Sequence, residues 1–249
     1  MRRVRFVFMA LVVLLALPAV GPARALEPVD LELVFAADGS GSIDDEELAL
    51  QRHGYAAAIT HPRVLNAIRS GYWQAIATAY VEWGGPHSQH TIVDWTKITD
   101  AASAQAFAAR LIAEPRRAES YNSISAAIDY SANLIRANAY EGTRKIIDVS
   151  GDGPQIGGRP LSQARAEAVI GGITINGLVI DAAGGHLRGP TGEPLVEHYR
   201  RDVIGGKGAF VLTARNREHF AEAILKKLIL EIAGDGRELG PELVEVKRP

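Results

Sequence analysis

Leu31-Glu32-Leu33-Val34-Phe35-Ala36-Ala37-Asp38-Gly39-Ser40-Gly41-Ser42 is the stretch that decides the fold. Leu31 to Ala37 is a short apolar run that reads as the first strand of an alternating strand and helix pattern. The run stops at an acid, and two glycines then space Asp38, Ser40 and Ser42. Next, Glu46 to Ile59 reads as an amphipathic helix that Pro62 closes. Outward from there, Gln74 to Trp83 and Thr91 to Trp95 are strand-like runs on either side of Gly84-Gly85-Pro86-His87-Ser88, a hairpin signal. Helical stretches at Ala101 to Ile112 and Ile124 to Asn138 precede a strand at Lys145 to Ser150. A helix at Leu161 to Ile170, a strand at Ile173 to Ile180, a short strand at Ala209 to Thr213 and a helix near Arg217 to Ala233 follow. The alternation predicts an α/β fold: a Rossmann-like, doubly wound, mainly parallel sheet with one antiparallel edge strand and helices on both faces.

Composition narrows the chemistry. The 249 residues are 47% hydrophobic and 22% charged, the balance of a globular chain that buries a core. Twenty-seven Lys and Arg face 29 Asp and Glu, with no basic block beyond the first five positions, so nucleic acid is not an expected partner. The absence of cysteine excludes disulfides, thiolate metal sites and thiol nucleophiles, leaving oxygen and imidazole.

The first 25 residues read as a signal peptide. Arg2, Arg3 and Arg5 lead an apolar run from Phe6 to Val20, and Ala23-Arg24-Ala25 places small residues where a signal peptidase reads, predicting cleavage after Ala25. The apolar run contains Pro18 and is short of the roughly 20 residues that a membrane span needs. The mature chain would carry a net charge of -6 and work in the periplasm or outside the cell, with no later membrane span. Residues 26–235 form the expected domain, in which Asp181 to Pro194 is a long loop; residues 236–249 form a polar tail.

In open α/β sheets ligands bind beyond the carboxyl ends of the strands. Asp38, Ser40 and Ser42 stand there, and glycines between them let the three oxygens turn to one point. A hard divalent cation suits this set: Mg²⁺ takes about six oxygens at about 2.1 Å and keeps several waters. One carboxylate leaves much of its charge uncompensated, so Asp152, in the Gly151-Asp152-Gly153 turn after another strand, is the candidate for the second. Ser120-Tyr121-Asn122-Ser123-Ile124-Ser125 offers oxygens on a third loop.

These residues resemble the von Willebrand factor A type domain and its metal-ion-dependent adhesion site, whose pattern is D-x-S-x-S after the first strand, a middle-loop Thr, and Asp-Gly after the fourth strand. Asp38, Ser40, Ser42, Asp152 and Gly153 match it. The phrases YVEWGG, VDWT, IIDVSGDG, GITINGLVI and GGKGAFV resemble a group of exported proteobacterial proteins within that superfamily. Asn122 stands where the Thr is expected, so the resemblance implies that its amide oxygen or the Ser123 hydroxyl is the ligand. It further implies Mg²⁺, with Mn²⁺ or Ca²⁺ as alternatives, and a protein partner that offers an Asp or Glu to the open metal position.

Other chemistries fit less well. Counted from Asp38, an EF-hand would place Ile43 where Gly is needed and Ala49 where Glu belongs; counted from Asp148, it ends on Arg159. The phosphate-loop lysine, G-x-G-x-x-G and a G-x-S-x-G elbow are all missing. Asp44 with Glu47 has capping-box spacing, which favours a helix start over a calcium patch. His87 and His90 lie on the hairpin without a third ligand nearby, and Trp73, Trp83 and Trp95 are expected to pack along the sheet. The reading is thus an exported, metal-dependent, adhesion-type binding module rather than an enzyme. Its alternatives are a metal-dependent hydrolase of phosphate or related esters, and the same scaffold with a degenerate metal site.

Overall fold

The structure is a computed structural model that describes residues 25–181, 187–214 and 217–234. The signal segment up to Arg24, the tail from 235 and the middle of the 181–194 loop lie outside the described residues.

The elements follow in the order β1 (Glu27–Asp38), α1 (Asp45–Ile59), α2 (Pro62–Arg69), β2 (Ile76–Trp83), β3 (Gln89–Ile98), α3 (Ala101–Ala113) and α4 (Ile124–Ala137). Then come β4 (Tyr140–Gly151), α5 (Leu161–Ile170), β5 (Ile173–Ile180), α6 (Leu195–His198) with a π-helical turn at Tyr199–Val203, β6 (Val211–Ala214) and α7 (Arg217–Ala233). Six strands form one sheet in the order β3-β2-β1-β4-β5-β6, with only β3 antiparallel, at the edge. This is the doubly wound Rossmann-like arrangement.

Alternation along β1 builds both cores. Leu31, Leu33, Phe35 and Ala37 face one layer, with Tyr55 and Ile59 of α1, Val64 and Ile68 of α2, Phe107 of α3 and Ile224 and Leu228 of α7. Val34 and Ala36 face the other, with Ile124 and Ile128 of α4, Ala164 of α5 and Tyr199 beyond α6. Both faces are therefore covered, and Glu32, the one acid within the apolar run, is buried against Lys145 and the Gly142 amide.

The structure departs from the sequence reading in four places. Pro62 opens a second helix instead of merely ending the first: His61 caps it, its Nδ1 accepting from the Arg63 amide at 3.1 Å. Proline stops one helix and suits the first position of the next equally well. β1 and β4 begin at Glu27 and Tyr140, earlier than their apolar runs, because Glu27 to Val29 pair with Tyr140 to Gly142. The segment Leu195–Val203 is helical, too short to show a period. Trp83 is buried and Trp95 packs on the apolar layers, but Trp73 is 45% exposed and lies in the turn before β2, not along the sheet. There Gln74 adopts φ 52 and the Asp30 carboxylate accepts from the Trp73 amide, so the backbone turns the ring outward.

Candidate functional site

β1 lies between β2 and β4, and the chain leaves its carboxyl end in one direction and that of β4 in the other. This topological switch point opens a crevice above the sheet. Ala37 pairs with Ser150 and Asp38 with Trp83, so the turns carrying Asp38 and Asp152 rise side by side.

Asp38 and Ser40 are fully buried at the floor, Asp152 is half-buried and Ser42 is exposed at the mouth. The Asp38 carboxylate accepts from the Ser40 amide at 2.8 Å, which curls the loop back on itself. The Ser40 and Ser42 hydroxyls lie 3.1 Å apart, and Ser42 Oγ donates to Asp152 Oδ1 at 2.8 Å. Asn122 Nδ2 donates to Asp38 Oδ2 at 3.1 Å. Asp38, Ser40, Ser42, Asn122 and Asp152 thus converge from three loops. Ser123 does not join them: its hydroxyl donates to Gly157 O at 2.8 Å and accepts from the Ala126 amide at the start of α4.

Burial, then the charge of Asp152, push the Asp38 carboxyl up to about 7, against hydrogen bonds from Ser40 that lower it. Two carboxylates and two hydroxyls around one point are an oxygen-only donor set, and among the described residues no Lys or Arg forms an ion pair with Asp38 or Asp152. Such a set fits a hard divalent cation, which relieves the repulsion that the protein alone leaves.

Side chains that give no signal in the sequence hold the loops. Arg116 Nη2 donates to Gly39 O at 2.9 Å and Ser40 O at 2.8 Å, and Arg116 pairs with Asp45. Arg52 and Glu82 form a buried ion pair, and Arg52 also donates to the carbonyls of Glu114 and Pro115, fixing the segment that carries Arg116. Tyr199 OH donates to Gly153 O at 3.4 Å. A Cβ on Gly151 would meet Tyr199 OH at 2.8 Å and Asp38 Oδ2 at 2.9 Å, so glycine there lets the second loop approach. Gly153 matches the family pattern for a similar reason: a side chain there would overlap the Asn122 amide. The Asp44–Glu47 capping box forms as read.

Elsewhere among the described residues, Glu193, His198 and Asp202 bring ligand atoms within 4.8 Å of one another. Arg201 lies 2.7 Å from Glu193 and 2.6 Å from Asp202, and His198 Nδ1 is 2.8 Å from Asp202. Arg201 already pairs with both acids, and the group is an ion-pair network. Among the described residues His87 and His90 join no cluster of three metal-ligating side chains, and the His90 ring lies 3.4 Å from the Ser88 hydroxyl.

A family model described as "Protein of unknown function (DUF1194)" matches residues 28–236. Comparison with curated proteins returns no match. Among solved structures, the von Willebrand factor type A protein from Catenulispora acidiphila superposes with a TM-score of 0.56 at 16% identity, over 82% of this chain and 43% of that one. Proximal thread matrix protein 1 from the mussel byssus, described with a zinc-occupied MIDAS motif, gives 0.56 at 12% identity, over 82% and 46%. The vWF domain of the type V pili tip protein Mfa5 from Porphyromonas gingivalis gives 0.55 at 12%, over 88% of this chain and all of that one. The chain spans under half the length of the first two. At these identities the likeness establishes the fold, which is that of von Willebrand factor A domains.

Proposed function

This chain belongs to the family described as "Protein of unknown function (DUF1194)", a von Willebrand factor A-like family, and we propose that it is an exported adhesion-type module that binds a protein partner through a divalent cation. Asp38, Ser40, Ser42, Asn122 and Asp152 would hold the ion, Mg²⁺ first and Mn²⁺ or Ca²⁺ as alternatives. The ion supplies a positive centre with an open position for an Asp or Glu of the partner.

The observation that carries this reading is the convergence of buried Asp38 with Asp152 and the two serine hydroxyls at the switch point, where Asp38 is pushed up to about 7 by burial and its neighbour. The chain's own residues divide the work. Asp38 and Asp152 provide charge, Ser40 and Ser42 provide neutral oxygens, and Arg116 fixes the carbonyls of the first loop. Neutral hydroxyls leave the ion with charge to share, which favours an acidic partner over water. A zinc-occupied MIDAS in the mussel protein and the pilus-tip role of Mfa5 are consistent with this use of the fold. Export rests on the arginine-led apolar start and Ala23-Arg24-Ala25. No described helix is long and apolar enough to cross a membrane.

Titration calorimetry with Mg²⁺, Mn²⁺ and Ca²⁺ tests the site. Asp38→Ala and Asp152→Ala are each expected to weaken binding at least about tenfold, with the circular dichroism of the fold retained. Unchanged affinities in both variants would remove the assignment, and turnover of a phosphoester panel would replace the binding module by a hydrolase.

A further inference from the structure

We propose that an apolar shelf of Pro86, Tyr121 and Ile156 beside the metal mouth receives a large apolar side chain of the partner, so that the partner segment is an acidic peptide with an apolar residue next to its Asp or Glu. This deepens the metal-dependent binding reading and rests on it.

The shelf is built by the two loops that carry Asn122 and Asp152. The amides of Ile156 and Gly157 donate to Asn122 O at 3.0 and 3.2 Å, lacing one loop to the other. A Cβ on Gly157 would meet Pro86 Cγ and Tyr121 Cε2, each at 3.0 Å, so the hairpin, the Tyr121 ring and the Gly157 backbone are in contact. Ser123 locks the arrangement, its hydroxyl donating to Gly157 O and its amide to Gly84 O, both at 2.8 Å. Yet Tyr121 is 55% exposed and Ile156 61% exposed.

The exposure is enforced by the backbone. Ser120 adopts φ 75, a left-handed conformation costing a non-glycine residue on the order of 1 kcal/mol, and this turn sends its carbonyl to the Gly41 amide at 2.7 Å. Tyr121, the next residue, is left facing solvent immediately before Asn122. Two large apolar side chains held outward on separate loops, beside one polar mouth, make a contact surface of the kind that anchors a partner.

Charge selects the direction of approach. On the Ser42 side the chain runs into Asp44, Asp45 and Glu46, all exposed at the start of α1, with Arg116 offsetting Asp45 alone. Like charge there disfavours an acidic segment. Pro86, Tyr121 and Ile156 carry no charge, and one exposed acid, Glu119, precedes them against three at the start of α1, so an acidic peptide that reaches the ion extends along Tyr121 and Ile156. In an extended segment, side chains one or about two positions from the acid come within reach of such a shelf.

The test is selection from a displayed peptide library with a fixed central Asp or Glu and random flanks, in Mg²⁺ and in chelator. Mg²⁺-dependent peptides enriched in Leu, Ile, Phe, Tyr or Trp beside the acid are expected. Tyr121→Ser and Ile156→Ser should each weaken the best peptide roughly tenfold, while Mn²⁺ affinity and thermal midpoint stay native and Tyr121→Phe keeps binding. Mg²⁺-dependent, acid-dependent peptides without apolar preference, or native binding by both serine variants, would overturn the shelf and leave the metal reading standing. Selection that needs neither Mg²⁺ nor the acid would overturn both.

Discussion

Asn122 reaches Asp38 through its amide nitrogen, 3.1 Å from Oδ2, in a position where a threonine is the expected metal ligand. Its role is therefore to hold the buried carboxylate, or, with the amide turned over, to offer the oxygen in the same place. Both uses require the side chain. Asn122→Ala should lower Mg²⁺ affinity about tenfold, and Asn122→Thr should keep or raise it, because a hydroxyl is a hard-cation ligand at shorter reach. Equal affinities in all three proteins would take this residue out of the site. Ser123 is separable: its hydroxyl caps α4 and ties Gly157, so Ser123→Ala is expected to cost about 1 kcal/mol of stability in urea unfolding with metal affinity unchanged.

At the scale of elements, α7 docks on β4 and β5 through a buried charged group. Lys227 Nζ lies 2.5 Å from Asp148 and 2.5 Å from Glu231, and Asn176 donates to Glu231 at 2.9 Å. One ammonium serves two carboxylates. Burial, then the charge of Asp148, push Glu231 up to about 7 from its ordinary 4.5, and burial raises Asp148 as well. A raised carboxyl binds its proton more tightly in the folded state, so its contribution to stability is complete below about pH 4.5 and lost as pH rises through about 7. Glu231→Gln should flatten the fall in stability between those limits, as measured by urea unfolding at successive pH values. A profile as steep as native would show that another group titrates. The Arg52–Glu82 pair is another buried charged contact between elements, linking α1 to β2. Arg52→Met leaves Glu82 uncompensated and releases the carbonyls of Glu114 and Pro115, with an expected loss of about 3–5 kcal/mol in the same unfolding measurement.

Across the whole molecule, the candidate metal site and the start of the sheet lie at opposite ends: β1 begins at Glu27 and ends at Asp38. Cleavage after Ala25 would leave the first sheet contact, the Glu27 amide to Ala139 O at 2.8 Å, intact. On the proposal of export, the mature chain is expected to begin at Leu26, and intact-mass analysis that finds Met1 retained would overturn that proposal. The order of strands and helices, the antiparallel edge and the strand ends bearing Asp38 and Asp152 were legible in the sequence, because apolar period and turn residues are local properties of the chain. α2 was hidden because Pro62 both ends and begins helices, and the strands pairing before Leu31 and Lys145 were hidden because neighbours, not apolarity, extend them. Which atoms meet was decided by tertiary structure alone. The contacts of Asp38 with Asn122 and of Ser42 with Asp152 join positions 84 and 110 residues apart. Turning Ser123 towards Gly157, strapping the first loop with Arg116 and leaving Tyr121 exposed are likewise outcomes of how the loops pack, since a residue's own neighbours in sequence do not say which backbone will stand opposite it.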